Sequence, residues 1–215
     1  MSAKTEKETE KLFKNLLKQL RPLFREYGFR SSGQNFILGS PECWVIINFQ
    51  KSRWSGPEET TFYVNVAANS KHWLEFCGEP TGQAPRYYAC AWQWRAEHFG
   101  PDKGIQKWTL RDESGARDVL VYLQRLFREF VFPSTKTMTT DVELLSHTGG
   151  FEYVQLKARC VILAATNQAN ALQRAVAALI ERFGSGVVAE GTRTHLEMLR
   201  SKYPGPMHSI ELHGE

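Results

Sequence analysis

Apolar residues recur every three or four positions through the first part of the chain. Leu12, Leu16, Leu20, Leu23 and Tyr27 form one stripe, with Phe13, Leu17 and Phe24 beside it. That period predicts an amphipathic helix. Thr5 and Glu8 give it a Thr-x-x-Glu capping box. Pro22 lacks a backbone donor and should kink the helix or split off its last turn. Gly28 supplies a C-terminal stop. Past Gly28 the period drops to two. Phe29 to Ser31 and Asn35 to Leu38 predict a short hairpin around Ser32-Gly33. Trp44 to Arg53 and Thr61 to Ala68 predict two longer strands joined through Ser55-Gly56-Pro57. Asn69 or Ser70 can cap a short helix carrying Trp73, Leu74 and Phe76. Gly78 to Arg86 reads as a loop. Ala89 to Glu97 and Gln106 to Arg111 predict two more strands, joined by a turn at Gly100 to Gly104.

From Ser114 the helical period returns. Val119, Leu123, Leu126 and Phe130 share a face, and Pro133 should end that helix. Thr140 and Glu143 repeat the capping box, with Gly149-Gly150 as the stop. Phe151 to Ala165 fits either period. Its strict alternation from Val154 to Cys160 suits a strand, while Val154, Ala158, Val161, Ile162 and Ala165 make a helical face. Flanking helices and frequent alanine favour helix. Leu172, Val176, Leu179 and Phe183 predict a further helix, Thr192 to Lys202 the last, and Pro204 onward a tail. Strands followed by helices imply an α+β fold: an N-terminal helix packed on an antiparallel sheet, then a helical C-terminal region. The expected division is residues 1–133, 134–203 and a tail at 204–215, with Lys136 to Thr139 as the boundary.

Composition adds modest constraints. At 42% hydrophobic and 23% charged, 215 residues suffice for a core without staples. The formal charge of +4 permits an acidic partner without requiring one. Cys43, Cys77, Cys90 and Cys160 lack paired spacing, which suits a reducing compartment better than a disulfide framework. The Lys/Glu-rich start carries no signal-peptide core, and no apolar run is long enough for a bilayer. A cytoplasmic location with no membrane association is expected.

The ordered blocks RPLFREYGF (Arg21 to Phe29), GQNF (Gly33 to Phe36), INFQKSRWS (Ile47 to Ser55), WQWR (Trp92 to Arg95) and KWTL (Lys107 to Leu110) carry a resemblance. Together with the Lys-rich first helix they make the chain similar to the bacterial domain of unknown function (DUF) 4304. The resemblance spans the first three fifths of the chain. It implies a bacterial source and an α+β fold, and brings no activity, cofactor or catalytic residue.

The chemistry-bearing residues point away from catalysis. Nucleophile-elbow, zincin, phosphate-loop and dinucleotide-binding motifs are all missing from the sequence. Asp102, Asp112, Asp118 and Asp141 sit where capping explains them. His72, His98, His147, His195, His208 and His213 show no metal-ligand spacing. No catalytic residue, metal or cofactor is therefore assigned. Trp92 and Trp94 share a strand face, which suits a core better than a base-stacking platform. Lys4, Lys7, Lys11, Lys14, Lys18, Arg21 and Arg25 step by three and four along the first helix. They fall within about 100° of arc opposite the apolar stripe. Lys7, Lys11, Lys14, Lys18, Arg21 and Arg25 are the candidate basic partner surface.

The stretch WVIINFQKSRWS (Trp44 to Ser55) raises a second candidate. Val45, Ile47, Phe49, Phe62, Val64 and Val66 should face the core, leaving Asn48, Gln50, Tyr63 and Asn65 together on the other side. Amides without partners are costly to bury, so they should line a groove, with Lys51, Arg53 and Trp54 at its rim, or bond to nearby loop backbone. The expectation is a non-catalytic binding module whose partner is another protein, in the manner of an immunity-type or defence-associated adaptor. The alternatives are nucleic-acid binding through the basic helix and aromatic strand, and an enzyme with scattered catalytic residues.

Overall fold

The computed structural model describes residues 8–104, 107–208 and 210. Thr5 of the first capping box, Lys4, Lys7 and His213 lie outside them. The chain opens with α1 (Glu8–Glu26), whose buried stripe is Thr9, Leu12, Phe13, Leu16, Leu17, Leu20, Leu23 and Phe24. Burying each large apolar side chain contributes roughly 1.5–3 kcal/mol. Pro22 does not split the helix, which runs unbroken through it. Gly28 closes it at φ +84°: the Phe29 amide donates to the Phe24 carbonyl and the Gly28 amide to Arg25. Glycine adopts that left-handed conformation without a Cβ penalty.

Six strands form one antiparallel sheet: β1 (Arg30–Ser32), β2 (Asn35–Gly39), β3 (Cys43–Lys51), β4 (Thr60–Ser70), β5 (Trp92–Arg95) and β6 (Trp108–Leu110). The order is β1-β2-β3-β4-β5. The last two strands do not form the expected pair. β5 lies on Asn65 to Ala68 of β4, and β6 lies on Thr60 to Phe62 of the same strand. They share one edge of β4 end to end. The 3₁₀ turns Tyr87–Ala89 and Ala96–His98 shorten β5 from the span its alternation suggested.

α2 (Lys71–Phe76) starts on the Ser70 hydroxyl, which accepts from the His72 amide. α3 (Glu113–Leu126) passes into a π-helical turn, Phe127–Val131, and then α4 (Phe132–Lys136). Pro133 sits at the start of α4 rather than ending a helix. A missing proline N–H is harmless in a first turn, and the π turn resets the ladder just before it. α5 (Asp141–Leu144) is capped by Thr140 and ends well before Gly149-Gly150. α6 (Glu152–Ala165) is helix, resolving the ambiguous segment, and α7 (Ala169–Phe183) and α8 (Ala189–Lys202) follow. α9 (Pro204–Met207) occupies the expected tail. Met207 and Ile210 are buried, because their apolar side chains close the end of the helical cluster. The fold is α+β.

α1 and the α3–α4 run cover one face of the sheet. Phe24 is the hub: it stacks on Phe36 at 3.8 Å and meets Phe127 and Phe132 edge-on at 4.8 and 5.1 Å. The sheet side of this core is Val45, Ile47, Phe49, Phe62, Val64, Val66, Trp92 and Trp94. α6 belongs to two clusters. Its Ala158 and Ile162 join the sheet core, while Cys160, Val161, Leu163 and Ala164 join the core of α7 and α8. α5 docks on the β2–β3 corner: the Asp141 amide donates to Glu42 at 2.8 Å and the Ser40 hydroxyl to the Thr139 carbonyl at 2.6 Å.

Candidate functional site

The sheet's other face carries a polar row set by strand register. Asn35 on β2 lies opposite Asn48 on β3, Asn48 opposite Asn65 on β4, and Asn65 opposite Arg95 on β5. The side chains bond along the row. Asn48 Nδ2 donates to Asn35 Oδ1 at 2.7 Å, and Asn65 Nδ2 to Asn48 Oδ1 at 3.1 Å. Arg95 Nη1 donates to Asn65 Oδ1. Asn65 Nδ2 also reaches Gln50 Oε1 at 3.2 Å, which accepts from the Tyr87 hydroxyl at 2.7 Å. The Arg95 guanidinium lies 4.4 Å over the Tyr63 ring. One residue of register shift would send every member of this row into the phenylalanine core.

The amides therefore satisfy one another across strands. Asn48 and Asn65 are buried, Tyr63 and Asn35 half-buried, and Gln50 and Arg95 exposed. Farther along this face, Ile46, Ala67 and Cys90 form a small apolar cluster under Ala84 and Tyr87 of the preceding loop. Of the three expected rim residues, one sits elsewhere. Lys51 follows the core parity of Phe49 and pairs with Glu10 of α1 at 2.8 Å, so it leaves the polar face. Arg53 and Trp54 stack on each other at 5.1 Å in the exposed β3–β4 connection. Sequence reasoning missed Asn35 and Arg95. Asn35 opens its strand and Arg95 closes its own, and only pairing register brings either into line.

Beyond Arg95 the face runs into a cleft of about 460 Å³. Tyr63, Gln93, Trp94, Arg95, Glu97, His98, Lys103, Thr148, Gly149 and Gly150 line it. The 147–150 loop is fixed against β5 by two indoles. Trp92 Nε1 donates to the His147 carbonyl at 3.1 Å and Trp94 Nε1 to Thr148 at 2.7 Å. Gly149 lies so close to the Trp94 ring that any Cβ would collide with it. Burial raises the Glu97 carboxyl above its usual range, although Arg95 opposes the shift.

The α1 cations lie away from this face. Lys11, Lys14, Lys18, Arg21 and Arg25 are exposed along the side of α1 that points away from the sheet. Lys11 pairs with Glu8 at 3.6 Å. Trp92 and Trp94 are core residues, 0% and 8% exposed, which removes the aromatic platform from the nucleic-acid alternative. Among the described residues no three His, Cys, Asp or Glu side chains converge as a metal site. Burial pushes the Cys43, Cys90 and Cys160 thiols upward, which disfavours the nucleophilic thiolate. No helix of the described residues is long and apolar enough to cross a membrane.

The family model for domain of unknown function DUF4304 matches residues 20–137, more than half of the chain. The chain belongs to that family. The DUF4304 match holds all six strands and the complete polar row, and stops before the 147–150 loop that completes the cleft. No curated protein and no solved structure matches the chain.

Proposed function

We propose that this DUF4304 protein is a non-catalytic binding module that docks another protein on its polar sheet face. The observation that supports the reading is the register-aligned row Asn35–Asn48–Asn65–Arg95, held by side-chain hydrogen bonds, with exposed Gln50 branching from Asn65 and exposed Arg95 at one end. Bonded in this way, the row loses little freedom on binding, which lowers the cost of association. Tyrosine and arginine, the residue types that anchor many interfaces, are both present at its end. The basic α1 face supports nucleic-acid binding as a second reading, since five exposed cations follow one another along it. We place the module in bacterial cytoplasm, as an immunity-type or defence-associated adaptor. The unpaired thiols suit a reducing compartment.

A photo-crosslinking residue at Gln50, and separately at Lys18, tests the two readings in cells. Docking on the sheet face predicts discrete protein adducts from position 50 that vanish when Arg95→Ala is added. Adducts from position 18 alone, removed by nuclease, would replace this reading with the second.

A further inference from the structure

The reachable charge of the cleft beside β5 has a single sign. Arg95, His98 and Lys103 line it with exposed side chains. Among the described residues no ion pair engages any of the three. Glu97 is the acid in the lining, and it is walled off: 5% exposed, both carboxylate oxygens closed to solvent, its own backbone amide donating to it. Asp102, next to Lys103 in sequence, is engaged by the Tyr122 hydroxyl, which donates to it at 2.7 Å. Arg95 is also the last member of the polar row, so the row and the cleft share a side chain. Its guanidinium lies over the Tyr63 ring at 4.4 Å and gives Nη1 to Asn65. Stacking uses the face of the fork, and the remaining N–H groups at its edge are available to a second acceptor.

A protein lying along the row sets its next side chains at Arg95, at the mouth of a cationic cleft. We propose that this cleft receives an acidic segment of the docked protein, an Asp or Glu carboxylate meeting the free edge of the Arg95 fork with Lys103 beside it. Docking at the sheet face is presupposed, and the cleft then sets the charge its partner must carry. The planar fork suits a carboxylate through two parallel bonds, and Lys103 adds a point charge. Complementary charge of this kind selects the partner and speeds the encounter more than it adds affinity. The backbone of Thr148 to Gly150 supplies one wall, so the C-terminal region takes part in the choice.

Two measurements on the full chain test this. The first is fluorescence anisotropy with a short labelled peptide alternating Glu and Ser, against the same peptide with Gln in place of Glu. The Glu peptide should bind about tenfold or more tighter, and Lys103→Gln, an exposed change in a turn, should remove most of that preference. Equal binding of the two peptides would overturn the proposal, as would a preference that survives Lys103→Gln. A preference removed by Lys18→Gln instead would place the peptide on α1, and the proposal would again be wrong. It is equally wrong if a short thymidine strand binds more tightly than the Glu peptide and depends on Lys103, since the cleft is then a phosphate site. The second measurement adds Lys103→Glu to the chain carrying the photo-crosslinker at Gln50. Reversing the charge should abolish the protein adducts. Adducts that persist would leave docking in place and sink the acidic partner. If no adducts form with Lys103 intact, docking itself fails, and the peptides still report whether the cleft takes an acidic segment.

Discussion

His195 shows how much a single buried group can set the response to acid. It is 3% exposed, packed edge-on against Phe76 at 5.2 Å, and its Nε2 has no partner among the described residues. Burial, reinforced by Lys157, lowers its pKa to about 3. The unfolded chain titrates this histidine near about 6.5, so between that pH and about 3 the unfolded state holds the extra proton. Stability is complete above the unfolded value and falls as pH drops, by up to about 1.4 kcal/mol per unit. His195→Leu should flatten that acid limb, as urea melts at pH 7, 5.5 and 4.5 would record. Asp141 acts in the opposite direction. Burial raises its carboxyl, so the native state binds the extra proton and stability falls as pH rises through the folded value. Neither effect could be read from the chain, because a histidine in a helix pattern looks the same buried or exposed.

The elements were legible to the extent that their signals were local. α1, β2, β3, β4, α2, α7 and α8 follow from period and caps alone, and α6 from its alanines and flanking helices. The misses have different causes. β5 and β6 look like a hairpin because they are neighbours in sequence, yet both pair with β4, and pairing is a tertiary fact. Pro133 looks like a terminator because a π turn leaves no mark in apolar spacing. Lys51 was placed on the rim with its polar neighbours, although parity puts it on the α1 side with Phe49. The basic row on α1 follows from helical period, and its energetic role is small. Exposed charges contribute little to stability, so Lys11→Gln, Lys14→Gln and Lys18→Gln together should shift unfolding by no more than about 1 kcal/mol. Chemical denaturation measures this directly. A much larger loss would mean that these side chains hold α1 in place.

Across the whole molecule, the family boundary and the packing boundary do not coincide. The DUF4304 match begins at Leu20, inside α1, and ends at Thr137. It excludes Leu12, Phe13, Leu16 and Leu17, which the sheet core buries, and Ala158 and Ile162 of α6. It also excludes the carbonyls of His147 and Thr148 that receive the indoles of Trp92 and Trp94. A fragment of residues 20–137 should therefore fail to unfold cooperatively, showing expanded dimensions and dye binding. The full chain should give one sharp transition. A fragment with a sharp transition of its own would show that the C-terminal region is an accessory and not part of the core.

The shared edge of β4 has a consequence for how such a chain can vary. A hairpin ties the alignment of its two strands to the length of the loop between them. Here β5 and β6 each take their alignment from β4, at Asn65 to Ala68 and at Thr60 to Phe62. The stretch from Phe99 to Lys107 is thereby released from any counting rule. Residues added between Asp102 and Gly104, which are exposed, would lengthen the connection at a cost that grows only with the logarithm of its length. Relatives can diverge in loop length there while keeping both strands, and the sheet face they build, unchanged.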